Sequence, residues 1–197
     1  MSSIPNALTV GRIVLVPFFV AAFFLPPEPG RWIVFILFCL AGITDLFDGM
    51  IARKLNAEST LGRMLDPIAD KLMVSAALLM LAADGTLKGI HLMAGLVILC
   101  REILVSGLRE FLAGAQVSLP VTRVAKLKTV LQMVAIGALI ASSATENMLP
   151  GVTILALGCL WVATALTMYT GYAYLQAGLH HARGPARPVK RPTHRTA

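Results

Sequence analysis

The stretch DLFDGMIARKLNAESTLGRMLDPIAD, residues 45–70, brings four aspartates into a chain that is otherwise strongly apolar. They are Asp45, Asp48, Asp66 and Asp70. Residues three or four positions apart share one face of a helix, so these spacings predict two acidic pairs on two helices. Gathered carboxylates repel one another unless a hard divalent cation such as Mg²⁺ or Mn²⁺ binds between them. The stretch therefore predicts a metal site.

Small and basic residues lie at fixed positions between the two acidic pairs. Gly49, Ala52 and Gly62 lack bulk, which lets a phosphate or a planar group approach the backbone closely. The guanidinium of Arg53 carries a fixed charge and a forked set of donors that suits a phosphate oxygen. The pattern thus predicts a phosphate-containing ligand beside the metal site.

The composition excludes a soluble globular domain. Of the 197 residues, 57% are hydrophobic and only 14% are charged, whereas about a quarter of the residues are charged in soluble domains. Six apolar runs have roughly the length that spans a bilayer. They cover residues 8–25, 32–53, 66–83, 87–111, 121–143 and 149–178. We therefore expect an all-α integral membrane protein with about six transmembrane helices in one bundle.

The placement of basic residues predicts the orientation of this bundle, because short cytoplasmic loops collect Lys and Arg. With a cytoplasmic N-terminus, only Arg31 and Lys88 of the 17 basic residues fall on the outer side. Both termini are then cytoplasmic, and the net charge of +7 reflects topology and attraction to anionic lipids. No nucleic-acid-binding motif accompanies the charge. We expect a membrane domain over residues 1–179 and a basic, disordered tail over residues 180–197.

The whole pattern resembles the signature of the CDP-alcohol phosphatidyltransferases, integral membrane enzymes of phospholipid synthesis. The matching residues are Asp45, Asp48, Gly49, Ala52, Arg53, Gly62, Asp66 and Asp70. The resemblance implies a six-helix fold, commonly a homodimer in the cell membrane. It also implies a site for two Mg²⁺ or Mn²⁺ ions that faces the cytoplasm at the membrane boundary.

The same resemblance implies a role for each matching residue. Asp45, Asp48 and Asp66 correspond to the principal metal ligands, and Asp70 corresponds to a ligand of a second metal and to the general base. The nucleotide-contacting positions are Gly49, Ala52, Arg53 and Gly62. The metal ions hold the pyrophosphate of CDP-diacylglycerol as CMP leaves, and Asp70 takes the proton of the attacking alcohol.

Segments outside this signature resemble the bacterial phosphatidylglycerophosphate synthases, a branch of the family whose acceptor is glycerol 3-phosphate. They are residues 4–12, 101–103, 109–110 and 126–129 with Gln132. A dianionic phosphate requires positive charge, for which the candidates are Arg101, Arg109, Lys126 and Lys128. Arg109 and Lys126 are the best candidates, because they lie at the inner ends of adjacent antiparallel helices. The alternative for these four residues is anchoring of the helices at the inner membrane surface. In its apolar context, Arg101 either acts in function or pairs with the adjacent Glu102.

Two other functions stay open from the sequence. A related transferase would use another acceptor, such as inositol phosphate or phosphatidylglycerol. A divalent-cation transporter is the alternative from another class, because intramembrane carboxylates also mark ion pathways. Transport sites usually lie near the bilayer midplane between repeats, whereas these aspartates flank a basic loop in a chain without a visible repeat. The pattern favours the enzyme.

Overall fold

The structure, a computed structural model, consists of helices joined by short connections. It describes residues 3–55, 60–114, 123–145 and 151–183. The helices are α1 Ser3–Ala22, α2 Pro27–Leu55, α3 Thr60–Ala83, α4 His91–Gly114, α5 Arg123–Ala144 and α6 Val152–Arg183. The prediction of an all-α protein with six helices is confirmed.

The surface of the bundle is apolar along much of its length. Within the described part of the chain, three helical segments are long and apolar enough to cross a membrane: His91–Gly114, Val124–Ala144 and Val152–Gln176. Shorter apolar stretches cover Thr9–Ala22 in α1 and Pro29–Thr44 in α2. Large hydrophobic side chains are exposed on all six helices. A contiguous apolar exterior of this kind requires lipid rather than water around it.

The helices pack in a connected order that brings α3, α4 and α5 together. α5 contacts α6, α2 and α3, while α4 contacts α6 and α3. α1 packs on α2 and α3, and the ring of Phe19 on α1 lies against that of Phe38 on α2 with centroids 6.3 Å apart. Leu81, Ile98 and Leu139 are fully buried between the helices. This core fixes the rotation of each helix and hence the face that it turns to its neighbours.

The connection between α3 and α4 differs from the sequence prediction. The apolar run starting at Leu87 predicts that the fourth helix begins there, but α4 begins at His91. Leu87 is buried in the connection, and its N–H donates to the carbonyl of Leu81 over 2.7 Å. Gly89 has a φ of 58°, which lies outside the right-handed helical region. The run is apolar because Leu87 fills the core, although it precedes the helix.

An ion pair joins two helix ends at the same side of the bundle. Nη1 of Arg31, near the start of α2, lies 2.7 Å from Oδ2 of Asp84, just after α3. The guanidinium carbon of Arg31 also lies 5.1 Å from the ring centre of Phe23. Both charged side chains are largely shielded from solvent. The pair therefore fastens the start of α2 to the end of α3.

The last helix extends beyond the boundary expected from the sequence. α6 continues to Arg183, past the predicted domain end at residue 179, and residues 184–197 of the predicted tail lie outside the described residues. The extent of the tail, like the cytoplasmic location of both termini, stays a prediction.

Candidate active site

A cleft that is partly open to the outside of the bundle lies between α3, α4 and α5. Each helix contributes residues spaced by three or four positions, which places them on one helical face. The cleft is lined by Asp70, Lys71, Val74 and Ser75 from α3, Leu99, Glu102 and Ile103 from α4, and Lys128, Thr129, Gln132 and Met133 from α5. Both signs of charge and three neutral polar groups thus line a cleft inside an apolar bundle.

Asp70 lines the cleft because neighbouring residues on α3 are buried in the core and fix the rotation of the helix. Ala69, Met73 and Ala77 recur every four residues and are buried, so they fix the rotation of α3. The partly exposed Asp70 lies beside this buried stripe and lines the cleft. Its carboxylate interacts electrostatically with the ammonium group of Lys128 on α5. The predicted general base and a predicted phosphate ligand therefore border one cavity.

Lys128 and Glu102 form a buried ion pair at this cleft. Lys128 is 4% exposed, and its Nζ donates a hydrogen bond to Oε1 of Glu102 on α4. Burial of two charges is costly unless they are paired and further hydrogen-bonded. An ammonium group has three donors, and Glu102 is its hydrogen-bond acceptor in the described part of the chain. Lys128 is therefore held at the cleft by its hydrogen bond to Glu102.

Arg101 lies behind this pair and connects it to α6. Its Nη1 donates to Glu102 Oε1 over 3.1 Å, its Nε to the carbonyl of Thr167 over 3.0 Å, and its Nη2 to Thr170 Oγ1 over 2.8 Å. Gly171 makes room for it, because a Cβ there would lie 3.1 Å from Arg101 Cγ. This geometry supports a role in holding Glu102. The role of Arg101 as a phosphate ligand stays a prediction.

The four cations proposed for the acceptor phosphate thus occupy three kinds of position. Lys128 is buried and lines the cleft. Arg101 is buried behind it among protein acceptors. Arg109 and Lys126 are exposed, and neither belongs to the described residues that line the cleft. Lys128 is the member of the set whose position fits direct contact with a ligand in the cleft.

Gln132 is a cleft residue whose chemistry the sequence did not reveal. It is 3% exposed, lies one helical turn from Lys128, and its Oε1 has no hydrogen-bond partner among the described residues. Its position four residues after Lys128 in an apolar helix was the available signal, since both side chains share one face. Glu102 was recognisable as functional or paired, and the structure shows the pairing with both Arg101 and Lys128.

The side chains of the remaining signature residues lie outside the described residues. They are Asp45, Asp48, Gly49, Ala52, Arg53, Gly62 and Asp66. Their helices, α2 and α3, contact each other. Among the described side chains, which include Asp70 but not the other three aspartates, no group of three metal-ligating residues is present. The metal and nucleotide positions therefore stay predictions.

The chain is similar to known proteins over most of its length. Residues 2–169 match the family model of the CDP-alcohol phosphatidyltransferases. The chain is 46% identical over 177 residues to the CDP-diacylglycerol–glycerol-3-phosphate 3-phosphatidyltransferase of Rickettsia typhi, covering 90% of this chain and 97% of that protein. It is 38% identical over 185 residues to the protein of the same name from Pectobacterium atrosepticum, covering 93% and 98%. The Haemophilus influenzae protein of that name is 39% identical over 176 residues, covering 88% and 92%.

Proposed function

This chain belongs to the CDP-alcohol phosphatidyltransferase family, and we propose that it transfers a phosphatidyl group from CDP-diacylglycerol to glycerol 3-phosphate. The products are phosphatidylglycerophosphate and CMP. One feature of the structure supports this function above all: Asp70 and Lys128 line the same cleft. A general base for an alcohol and a cation for its phosphate are the two groups that this acceptor requires.

The donor site in this proposal consists of the signature residues. Asp45, Asp48, Asp66 and Asp70 offer oxygen ligands, which hard cations such as Mg²⁺ and Mn²⁺ prefer. Bound there, the ions would neutralise the negative charge of the pyrophosphate. The nucleotide would contact the positions Gly49, Ala52, Arg53 and Gly62. Their small side chains and the one guanidinium suit a bulky, anionic ligand.

The reaction transfers the phosphatidyl group from an oxygen of CMP to the C1 hydroxyl oxygen of glycerol 3-phosphate. The Asp70 carboxylate accepts the proton of the C1 hydroxyl of glycerol 3-phosphate. The hydroxyl oxygen then forms a bond to the phosphorus of the phosphatidyl group, and the bond from that phosphorus to the CMP oxygen breaks. CMP leaves with the electron pair of the broken bond. Asp70 therefore needs to contact the hydroxyl while Lys128 holds the phosphate at the other end of the acceptor.

Charge and helix order together support a cytoplasmic active site. The acceptor is a water-soluble metabolite, so it enters the cleft from an aqueous side. If the basic residues other than Arg31 and Lys88 lie on the inner side, the connection between α2 and α3, the end of α4 and the start of α5 lie there as well. In this arrangement the exposed Arg109 and Lys126 attract the anionic acceptor toward the cleft. We propose a multi-pass protein of the cell's cytoplasmic membrane that acts as a homodimer.

The function is tested with the full chain purified in detergent micelles containing CDP-diacylglycerol and Mg²⁺ or Mn²⁺. CMP release is measured with glycerol 3-phosphate, glycerol, inositol phosphate and phosphatidylglycerol, and the lipid product is identified by mass. We expect turnover with glycerol 3-phosphate and none after Asp48→Asn, while Asp84→Asn, far from the cleft, stays active.

Two results would contradict the proposal. If CMP were released only with another acceptor and not with glycerol 3-phosphate, the chain would be a related transferase. Uptake of a divalent cation into vesicles that contain the protein, without CMP release from any CDP-lipid, would support transport instead.

A further inference from the structure

Gln132 is a polar residue of the cleft that the proposed mechanism does not use. Its side chain is almost fully buried on α5, one turn from Lys128, and it lines the cleft that Asp70 also borders. Its Oε1 is shielded from solvent and accepts no hydrogen bond from the residues that the structure describes. Thr129, its polar neighbour in the cleft, instead donates to the carbonyl of Ala125 in its own helix.

A buried amide oxygen without a donor is costly, because folding removes its water without replacing the lost hydrogen bond. Such an atom beside a cavity is available to accept a hydrogen bond from a group that enters the cavity. No described residue, Lys128 included, donates to the Gln132 oxygen, which can only accept, so a ligand in the cleft that carries a donor would satisfy it. A dianionic phosphate has no hydrogen to donate, whereas an alcohol hydroxyl has one.

We propose that Gln132 recognises the C2 hydroxyl of the acceptor by accepting a hydrogen bond from it at Oε1. The inference rests on the proposed function, since it takes glycerol 3-phosphate as the molecule in the cleft. Lys128 and Gln132 are four residues apart, which is about 6 Å along a helix. This spacing is comparable to the separation between the phosphate and the hydroxyl groups of a three-carbon alcohol phosphate. Gln132 thereby determines specificity, while Asp70 and Lys128 serve the C1 hydroxyl and the phosphate.

The test compares two acceptors in the same assay of CMP release. 3-Hydroxypropyl phosphate keeps the phosphate and the attacking hydroxyl of glycerol 3-phosphate but lacks the C2 hydroxyl. We expect the wild type to prefer glycerol 3-phosphate about tenfold in kcat/KM, because the analogue leaves the buried oxygen without its donor. Gln132→Met, which keeps the length of the side chain, should remove this preference by lowering kcat/KM for glycerol 3-phosphate alone.

The matched control is Gln176→Met. Gln176 is exposed near the end of α6, and its Nε2 donates to the hydroxyl of Tyr172. This variant should keep the wild-type preference between the two acceptors. It accounts for any general effect of exchanging a glutamine for a methionine in a membrane helix.

The possible results distinguish a wrong role for Gln132 from a wrong function of the whole protein. An active wild type that uses both acceptors equally well would overturn the inference alone, even if Gln132→Met failed to fold. A folded Gln132→Met that loses activity equally with both acceptors would do the same, because it would show a structural role. A wild type that ignores glycerol 3-phosphate would overturn the proposed function and, with it, this inference.

Discussion

Two shielded ion pairs in this protein have similar chemistry and different surroundings. Arg31 and Asp84 join the start of α2 to the end of α3, whereas Lys128 and Glu102 join α5 to α4 at the edge of the cleft. Asp84 follows Asp70 by fourteen residues, so about 21 Å of helix separates the two aspartates. A shielded charge pair thus indicates a ligand site only where further polar groups border a cavity beside it.

The surroundings of each ion pair determine whether its charged groups can contact a ligand. Arg31 makes a second contact with the ring of Phe23, and both residues of that pair lie outside the set of described residues that line the cleft. Glu102 is held from behind by Arg101, which in turn is fixed by Thr167 and Thr170 on α6. Lys128 is therefore presented to the cleft by a rigid support that involves three helices.

The largest difference between the two regions should come from their aspartates, Asp70 within α3 and Asp84 just after it. We expect Asp70→Asn to lower kcat by about 10²–10⁴-fold, because the amide cannot accept the proton of the attacking alcohol. Asp84→Asn should leave kcat close to the wild-type value. CMP release from CDP-diacylglycerol at saturating glycerol 3-phosphate measures both, and circular dichroism checks that both variants are folded. Comparable losses in the two variants would contradict the assignment of chemistry to one end.

The second prediction compares two lysines on α5. Lys128→Met should raise KM for glycerol 3-phosphate by about 10–100-fold, since hydrogen bonds to charged groups contribute about 1.5–3 kcal/mol. KM for CDP-diacylglycerol should change little. Lys126→Met, at an exposed position, should have a clearly smaller effect that disappears at high salt. The assignment would be wrong if Lys126→Met had the larger effect or if Lys128→Met weakened only CDP-diacylglycerol.

The third prediction concerns the stability that the Arg31–Asp84 pair provides. Arg31→Met and Asp84→Asn should each lower the free energy of unfolding by about 1–3 kcal/mol, because each leaves a shielded charge without its partner. The double variant should lose less than the sum of the two single losses. Denaturant unfolding in detergent micelles measures the cycle, and KM for glycerol 3-phosphate should stay unchanged. Strictly additive losses would show that the two side chains do not interact.

The smallest expected effect comes from a change beside Arg101, the residue that donates a hydrogen bond to Glu102. Gly171→Ala would bring a Cβ to 3.1 Å from Cγ and 3.2 Å from Nε of Arg101, a side chain that its hydrogen bonds hold in place. We expect a loss of about 1 kcal/mol, at the low end of the cost of overpacking, and a modest rise in KM for glycerol 3-phosphate. Gly158→Ala, on the same helix with no atom within 4 Å, is the control. Equal results for the two variants would indicate that Arg101 moves freely.

The amino-acid sequence alone predicted the family, the six helices and the importance of Asp70. These features depend on local order along the chain. An apolar run of sufficient length forms a helix in a bilayer wherever its neighbours lie, and the spacing of the aspartates places each pair on one helical face. The start of α4 was mislocated for a related reason: Leu87 is apolar because it fills the core, and apolar character does not distinguish a buried loop residue from a helical one.

Only the tertiary structure decided which of the four candidate cations faces a cavity. Arg101 is hydrogen-bonded to Thr167 and Thr170, which lie 66 and 69 residues away in the sequence, and Lys128 is paired with a residue 26 positions away. Helical periodicity shows which residues share a face but not what that face meets, because the packing of α3, α4, α5 and α6 depends on side-chain shape throughout the bundle. For the same reason, the unpartnered oxygen of Gln132 becomes visible only when the neighbours on all three helices are in place.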